Sequence, residues 1–284
     1  MRYPLVWRVS MAAALWLLPD HFALAQATIA YRQPTEPLFA WIGQEFDLDG
    51  DGQAEFRLFD GSYIPASFFA TAASGVGTAR LLVTPRGPRD SGSYLVGWNA
   101  GSLIGGPTNE WLFWAAQDAP NAYGAALVLG SYIPEDVGGD LVGVGDFYGI
   151  TAFMGIHFQI GSEWHYGWVR FRGGTAGIYG GVFYLAPPGW VLDWAYETRP
   201  NTPIRAGAKP VLVPLASPEV ARPGYLRLKW PSEIGKAYQV QAKGNLEAFV
   251  WTNLNFVIPA TATNVMLDLP MNRTAQFFRV VQAD

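Results

Sequence analysis

The chain has 284 residues, of which 50% are hydrophobic and only 15% charged, with a net charge of −4 and a pI of about 5.4. That apolar content can build a sizeable core and excludes wholesale disorder. The absence of a basic stripe leaves nothing to neutralise a phosphate backbone, so nucleic acid is not an expected partner.

There is no cysteine, which removes disulfides, thiolate catalysis and Cys-ligated zinc together. Aromatics make up 15% of the chain, alongside 32 Gly and 21 Pro. Large flat side chains between frequent turns describe strands better than helices.

The N-terminus reads as an address. Arg2 and Arg8 precede a short apolar run over residues 9–18, and Ala23-Leu24-Ala25 offers an A-x-A cleavage site before Gln26. Residues 1–25 are therefore expected to be a signal peptide, which places the mature chain outside the cytoplasm with no stable transmembrane anchor. The alternative, an uncleaved anchor, suits this run less well because it is short for a bilayer.

Short apolar runs broken by Gly, Pro, Asp and Asn fill residues 26–206. Phe56-Arg57-Leu58-Phe59 alternates as a strand, and 80–84, 94–98 and 125–129 are further strand candidates. Residues 110–117 suit either a helix or a buried strand. Residues 152–160 place Met154, Ile156, Phe158 and Ile160 on one face, and Gly161-Ser162 is a hairpin turn that returns the chain as His165-Tyr166-Gly167-Trp168. Residues 181–185 and 190–196 are expected to pair across Pro187-Pro188-Gly189.

Beyond Ala206 the composition changes. All four lysines lie here, and Pro210, Pro214, Pro218 and Pro223 make 207–223 read as a stiff connector. Residues 224–284 then hold four alternating runs, the size of a small fibronectin- or immunoglobulin-like β-sandwich. The expected fold is all-β and antiparallel: a larger sandwich or jelly-roll-like domain over 26–206 and the small module after the linker.

The sharpest motif is Asp47-Leu48-Asp49-Gly50-Asp51-Gly52-Gln53-Ala54-Glu55. Asp47, Asp49 and Asp51 converge if the chain curls around a small cation. Gly52 permits the turn, Gln53 offers its backbone carbonyl and Glu55 adds an oxygen. Hard oxygens at positions one, three, five, seven and nine suit Ca²⁺. The twelfth position, a bidentate Glu in an EF-hand, is Leu58, and strand-like Phe46 and Phe56 flank the loop. It is therefore closer to the calcium loops of dockerin-like and thrombospondin-type repeats. The competing reading is a solvated acidic turn, which would leave three aspartates repelling one another.

No catalytic set emerges. After signal removal the histidines are His157 and His165, too few with Glu163 for a convincing zinc site, and they read as hydrogen-bonded sheet histidines. No G-x-S-x-G elbow occurs. Glu110, Asp118, Glu135, Asp193 and Glu197 lie near aromatics, but no spacing singles out a carboxylate pair. Asn272-Arg273-Thr274 matches a glycosylation sequon.

Two resemblances follow from particular strings. The Asp-rich loop, Asn99-Ala100-Gly101-Ser102-Leu103-Ile104-Gly105, His165-Tyr166-Gly167-Trp168-Val169-Arg170, Asp193-Trp194-Ala195-Tyr196-Glu197 and Thr202-Pro203-Ile204-Arg205-Ala206-Gly207 occur in that order over residues 29–207. This stretch resembles exported β-proteins of the PEP-CTERM type, made by exopolysaccharide-producing bacteria. Trp230-Pro231-Ser232, 235–241, Trp251-Thr252-Asn253-Leu254 and Phe277-Phe278-Arg279-Val280 resemble a C-terminal β module of secreted proteins from verrucomicrobia-like bacteria. The Pro-Glu-Pro motif, apolar helix and basic residues of PEP-CTERM sorting are not present, so that step is not implied.

The resemblances imply a secreted, noncatalytic envelope or extracellular-matrix protein with no assigned catalytic residue. Extracellular polysaccharide or other envelope proteins are the expected partners. A lectin-like protein, with Trp98, Trp111, Trp114, Trp164 and Trp194 as the pool of sugar platforms, and a glycan hydrolase or lyase are the rival readings.

Overall fold

The computed structural model describes residues 28–40, 44–60, 69–85, 93–106, 108–109, 112–116, 127–134, 141–175, 177–179, 182–184, 188–245, 251–271 and 277–283. The expected signal peptide lies outside these residues, as do Glu110, Trp111, Asp118, Glu135 and the sequon at Asn272. Among the described residues the chain is all strand and turn. No helix there is long and apolar enough to cross a membrane.

In chain order the strands are β1 (Ile29–Arg32), β2 (Leu38–Ala40), β3 (Gln44–Phe46), β4 (Phe56–Asp60), β5 (Phe69–Gly75), β6 (Arg80–Pro85), β7 (Ser93–Leu95) and β8 (Leu103–Ile104). They continue with β9 (Phe113–Ala116), β10 (Leu127–Pro134), β11 (Leu141–Val144), β12 (Thr151–Ile160), β13 (Glu163–Gly173), β14 (Gly177–Tyr179), β15 (Val182–Tyr184) and β16 (Gly189–Glu197). The last eight are β17 (Ile204–Arg205), β18 (Leu212–Val213), β19 (Glu219–Arg222), β20 (Tyr225–Pro231), β21 (Ala237–Lys243), β22 (Thr252–Pro259), β23 (Asn264–Pro270) and β24 (Phe277–Ala283).

The hairpin β12–β13 organises the larger domain. Gly161 takes φ 62°, a left-handed conformation open to glycine without a Cβ penalty. The register sets Phe158 opposite His165 and Gly155 opposite Trp168. Alternation then drives Met154, Ile156 and Phe158 into one core, all fully buried. The opposite face is covered too, because Trp168 packs with Ile104, Ile204 and Ala206 beneath the short β8–β17 pair. Burial on both faces explains why β13 is so rich in aromatics.

Among the described residues thirteen strands join one sheet, whose main path runs β1-β16-β13-β12-β6-β7-β10-β5-β4-β3. Phe46 and Phe56, near one end of that path, share a core with Met154 at its middle and Trp194 near the other end. The sheet therefore curls over onto itself in a sandwich-like arrangement.

Two pairings depart from expectation. Strands β7 and β10 run parallel, which the long excursion through β8 and β9 makes possible without a helix. Strand β15 pairs with β14 rather than β16, because both edges of β16 are taken, by β13 on one side and by β1 and β2 on the other. The described part of 110–117 forms strand β9.

The small module stacks a four-stranded sheet, β18-β24-β21-β22, against a three-stranded one, β19-β20-β23. Leu228, Trp230, Tyr238, Val240 and Val280 fill the space between them. Strands β18 and β19 come from the proline-rich stretch and pair with β24 and β20.

Candidate metal centre

The Asp-rich loop connects β3 to β4. Phe46 and Phe56 face each other across the strand pair and stack with ring centroids 4.6 Å apart and planes 8° apart. The Glu55 amide donates to the Phe46 carbonyl at 2.9 Å, closing the loop at its neck. An aromatic pair beneath a closed neck gives the loop a rigid base.

Within the loop the carboxylates organise the backbone. Asp47 accepts from the amides of Gly50 at 2.6 Å and Gly52 at 2.9 Å. Asp49 accepts from the Asp51 amide at 3.0 Å, and Asp51 from the Gln53 amide at 2.7 Å. Gly50 and Gly52 sit at φ 87° and 91°, so the chain can wind tightly enough for alternate side chains to turn inward.

The result is convergence. One carboxylate oxygen from each of Asp47, Asp49, Asp51 and Glu55 lies within 4.8 Å of the others. Asp49 and Glu55 are each only 7% exposed. This group of carboxylates can hold a metal ion. Gln53 sits in the same loop, where its side-chain amide donates to Asp51 at 3.2 Å.

The protein pins this loop from outside. Trp194 Nε1 of β16 donates to the Leu48 carbonyl at 3.1 Å. Glu55 Oε2 accepts from the Leu48 amide at 2.6 Å, so Leu48 is held on both sides. The electrostatics are those of crowded anions. Burial pushes the Glu55 carboxyl up to about 7, and the charges of Asp49, Asp47 and Asp51 push the same way against the Leu48 hydrogen bond. Asp49 is also raised, first by burial and then by Asp51 and Asp47. Tyr196 is raised by its own burial and by these carboxylates.

No protein-family model matches the chain, and no curated protein matches it. The site must therefore be read from its own chemistry.

The other candidate residues fall into place around it. His165 Nδ1 lies 2.9 Å from the Glu197 carbonyl, as a hydrogen-bonded sheet histidine should. His157 departs from that expectation, since neither of its ring nitrogens has a hydrogen-bond partner among the described residues. Its ring stacks on Tyr166 at 4.3 Å and lies 4.4 Å from Trp164 and 5.3 Å from Trp114. Burial pushes it down to about 4, with the charges of Arg80 and His165 adding to the effect. An aromatic box holds it as a neutral ring.

Asp193 is fully buried and serves as an electrostatic anchor. Arg170 grips it with Nε and Nη2, both at 2.8 Å, while Lys209 Nζ at 2.9 Å and the Tyr31 hydroxyl at 2.8 Å complete the cluster. Glu197 takes two side-chain bonds from Arg199. Trp194 and Tyr196 between them are buried, 4% and 7% exposed, so neither presents a sugar platform. Sequence reading did not find this cluster, because Tyr31 and Asp193 are 162 positions apart.

Proposed function

We propose that the chain is an exported, noncatalytic structural or adhesion protein of the cell envelope or extracellular matrix, whose Asp-rich loop holds a calcium ion. The observation that carries the metal assignment is the convergence of four carboxylates in one nine-residue turn. Calcium–oxygen distances of about 2.4 Å put ligands on opposite sides of the ion about 4.8 Å apart. Oxygens within that distance of one another are compatible with a calcium sphere, and a set of hard oxygens on a pliable loop suits Ca²⁺ better than the stricter octahedron of Mg²⁺. Asp47, Asp49, Asp51 and Glu55 supply charged oxygens, and the Gln53 carbonyl is the fifth protein ligand.

The ion's role in this reading is mechanical. It removes the mutual repulsion of the carboxylates and fixes the β3–β4 turn against Trp194. Export follows from the N-terminal residues, and the expected partners remain extracellular polysaccharide or other envelope proteins. Calorimetry of the mature chain with Ca²⁺ and Mg²⁺ tests the assignment. Tight Ca²⁺ binding with a rise in Tm is expected; neither heat nor a Tm change with Ca²⁺ would remove it.

A second reading, carbohydrate binding, is favoured by the patch around His157. Trp114, Trp164 and Tyr166 are all half-buried on one sheet face, with Arg80 4.9 Å over the Trp164 ring. Partly exposed aromatics clustered on one face suit sugar rings better than scattered ones. A glycan array with and without Ca²⁺, repeated with Trp164→Ala, separates this from a purely structural role.

A further inference from the structure

A shallow cleft, partly open to solvent, lies between the two modules. Ligand sites favour such boundaries between domains, and what argues for one here is the chemistry of the walls. Tyr31, Arg32 and Asp49 line it from the larger domain, and Gln241, Trp251, Asn253 and Arg279 from the small module. It is a different surface from the His157 patch.

The small-module wall has a fixed hydrogen-bond polarity. Arg279 Nε donates to Gln241 Oε1 at 2.7 Å. A guanidinium can only donate, so the Gln241 amide must present its oxygen there and its nitrogen elsewhere. That nitrogen donates to Asn253 Oδ1 at 2.7 Å. The relay ends with the Asn253 nitrogen, a donor. Both ends of the chain, the remaining N–H groups of Arg279 and the amide of Asn253, are therefore donors lining the cleft.

Arg279 is also short of a counter-charge. Among the described residues it forms no ion pair. Its guanidinium lies 4.6 Å over the Trp251 ring, and Lys243 Nζ lies 4.8 Å over the same ring. A stacked guanidinium keeps its in-plane edge free for a bidentate acceptor. Burial pushes Arg279 down to about 10, the mark of a cation held in a poorly solvated place without an anion.

The geometry points to a binding site for an acidic saccharide in this cleft, its carboxylate accepting from Arg279 and Asn253 and its ring lying against Trp251 and Tyr31. Among the described residues this relay turns donors at both ends to the cleft, which selects an acceptor-only group. The amides and the aromatic wall suit a sugar ring carrying that group better than a bare ion. Asp49 stands on the opposite wall, so a cation in the loop lowers the repulsion an entering carboxylate meets. The donor set itself does not depend on the metal.

Calorimetry of the full mature chain with trigalacturonate, neutral galactotriose and acetate tests the site, each in excess Ca²⁺ and in EDTA. Trigalacturonate is expected to bind, more tightly with Ca²⁺, while galactotriose and acetate bind at least about tenfold more weakly. Arg279→Gln keeps a partner for Gln241, and Asn253→Asp turns the terminal donor into an acceptor. Each should weaken trigalacturonate by at least about tenfold at unchanged Tm. Equal binding of the neutral sugar, wild-type affinity in both variants, or no trigalacturonate heat in either buffer overturns the proposal. If the loop holds no metal, Ca²⁺ and EDTA give the same affinity and the dependence on Arg279 persists.

Discussion

Replacing Glu55 with Gln should change the stability of the protein in opposite directions with and without calcium. In the ion-free protein the Glu55 carboxyl is raised from 4.5 to about 7, chiefly by burial. The folded state thus holds this proton more tightly than the unfolded chain, and binds more protons between those two values. Stability is greatest below about pH 4.5, falls as pH rises through the window and levels off above about 7. At about 1.4 kcal/mol per unit the shift is worth at most roughly 3 kcal/mol, and water around a surface loop reduces that to about 2 kcal/mol. For a domain of this size that lowers Tm by about 4–8 °C between pH 5 and pH 8 in EDTA. Glu55→Gln keeps an oxygen for the Leu48 amide and carries no charge, so its Tm should lose this component of the fall with pH and be higher than wild type at pH 8. In Ca²⁺ the order reverses. Wild type gains about 2.7 kcal/mol at a hundredfold excess over Kd, and the variant, lacking one anionic ligand, gains much less. Differential scanning calorimetry at pH 5, 6, 7 and 8 in both buffers reads all of this. Parallel pH profiles in EDTA, or equal Ca²⁺-induced shifts, would show that Glu55 does not belong to an anionic cluster of this kind.

Four further outcomes follow from the same structure. Asp193→Asn leaves Arg170 and Lys209 without their shared anion and should cost about 3 kcal/mol by chemical denaturation, the low end for a broken buried pair because both cations reach water; a cost under about 1 kcal/mol would refute the anchor. Gly189→Ala places a Cβ 1.8 Å from Phe171 Cζ, inside a packed core, and should destabilise by about 3 kcal/mol or prevent folding; wild-type Tm would show that Phe171 can move. His157 should stay neutral in NMR titration down to about pH 4, and as a base with a lowered pKa its stabilising contribution is present above 6.5 and lost as pH falls toward 4; a midpoint near 6.5 contradicts the box. Trp194→Phe removes the donor to the Leu48 carbonyl and should cost about 1 kcal/mol while weakening Ca²⁺ binding; unchanged Ca²⁺ affinity would mean that Trp194 does not position the loop.

The parts of this molecule that sequence reveals are those in which neighbours in space are neighbours in chain. Asp47 to Glu55 spans one turn, so carboxylate spacing and two glycines foretell their convergence. The β12–β13 hairpin is equally local, and alternation around Gly161 gives the Phe158–His165 register correctly. The Arg279–Gln241–Asn253 relay is invisible in the same reading because it depends on β21 pairing with β22 on one side and β24 on the other. The same holds for Asp193, whose partners come from β1, β13 and the segment after β17. The expected pairing of 181–185 with 190–196 failed for a related reason. Local turn chemistry favoured it, but β16 had better partners from the far N-terminus. His157 differed from expectation because packing by Trp114, Trp164 and Tyr166 outweighed the loss of hydrogen bonds.

The position of Lys209 has a mechanical consequence. The chain leaves the larger domain at this residue, and its ammonium is clasped by Asp193 and the Tyr31 hydroxyl. A pull on the small module loads that clasp first. Behind the clasp the chain runs back through the two-residue β17–β8 pair to β16, which is held by ladders on both edges and so resists by shear.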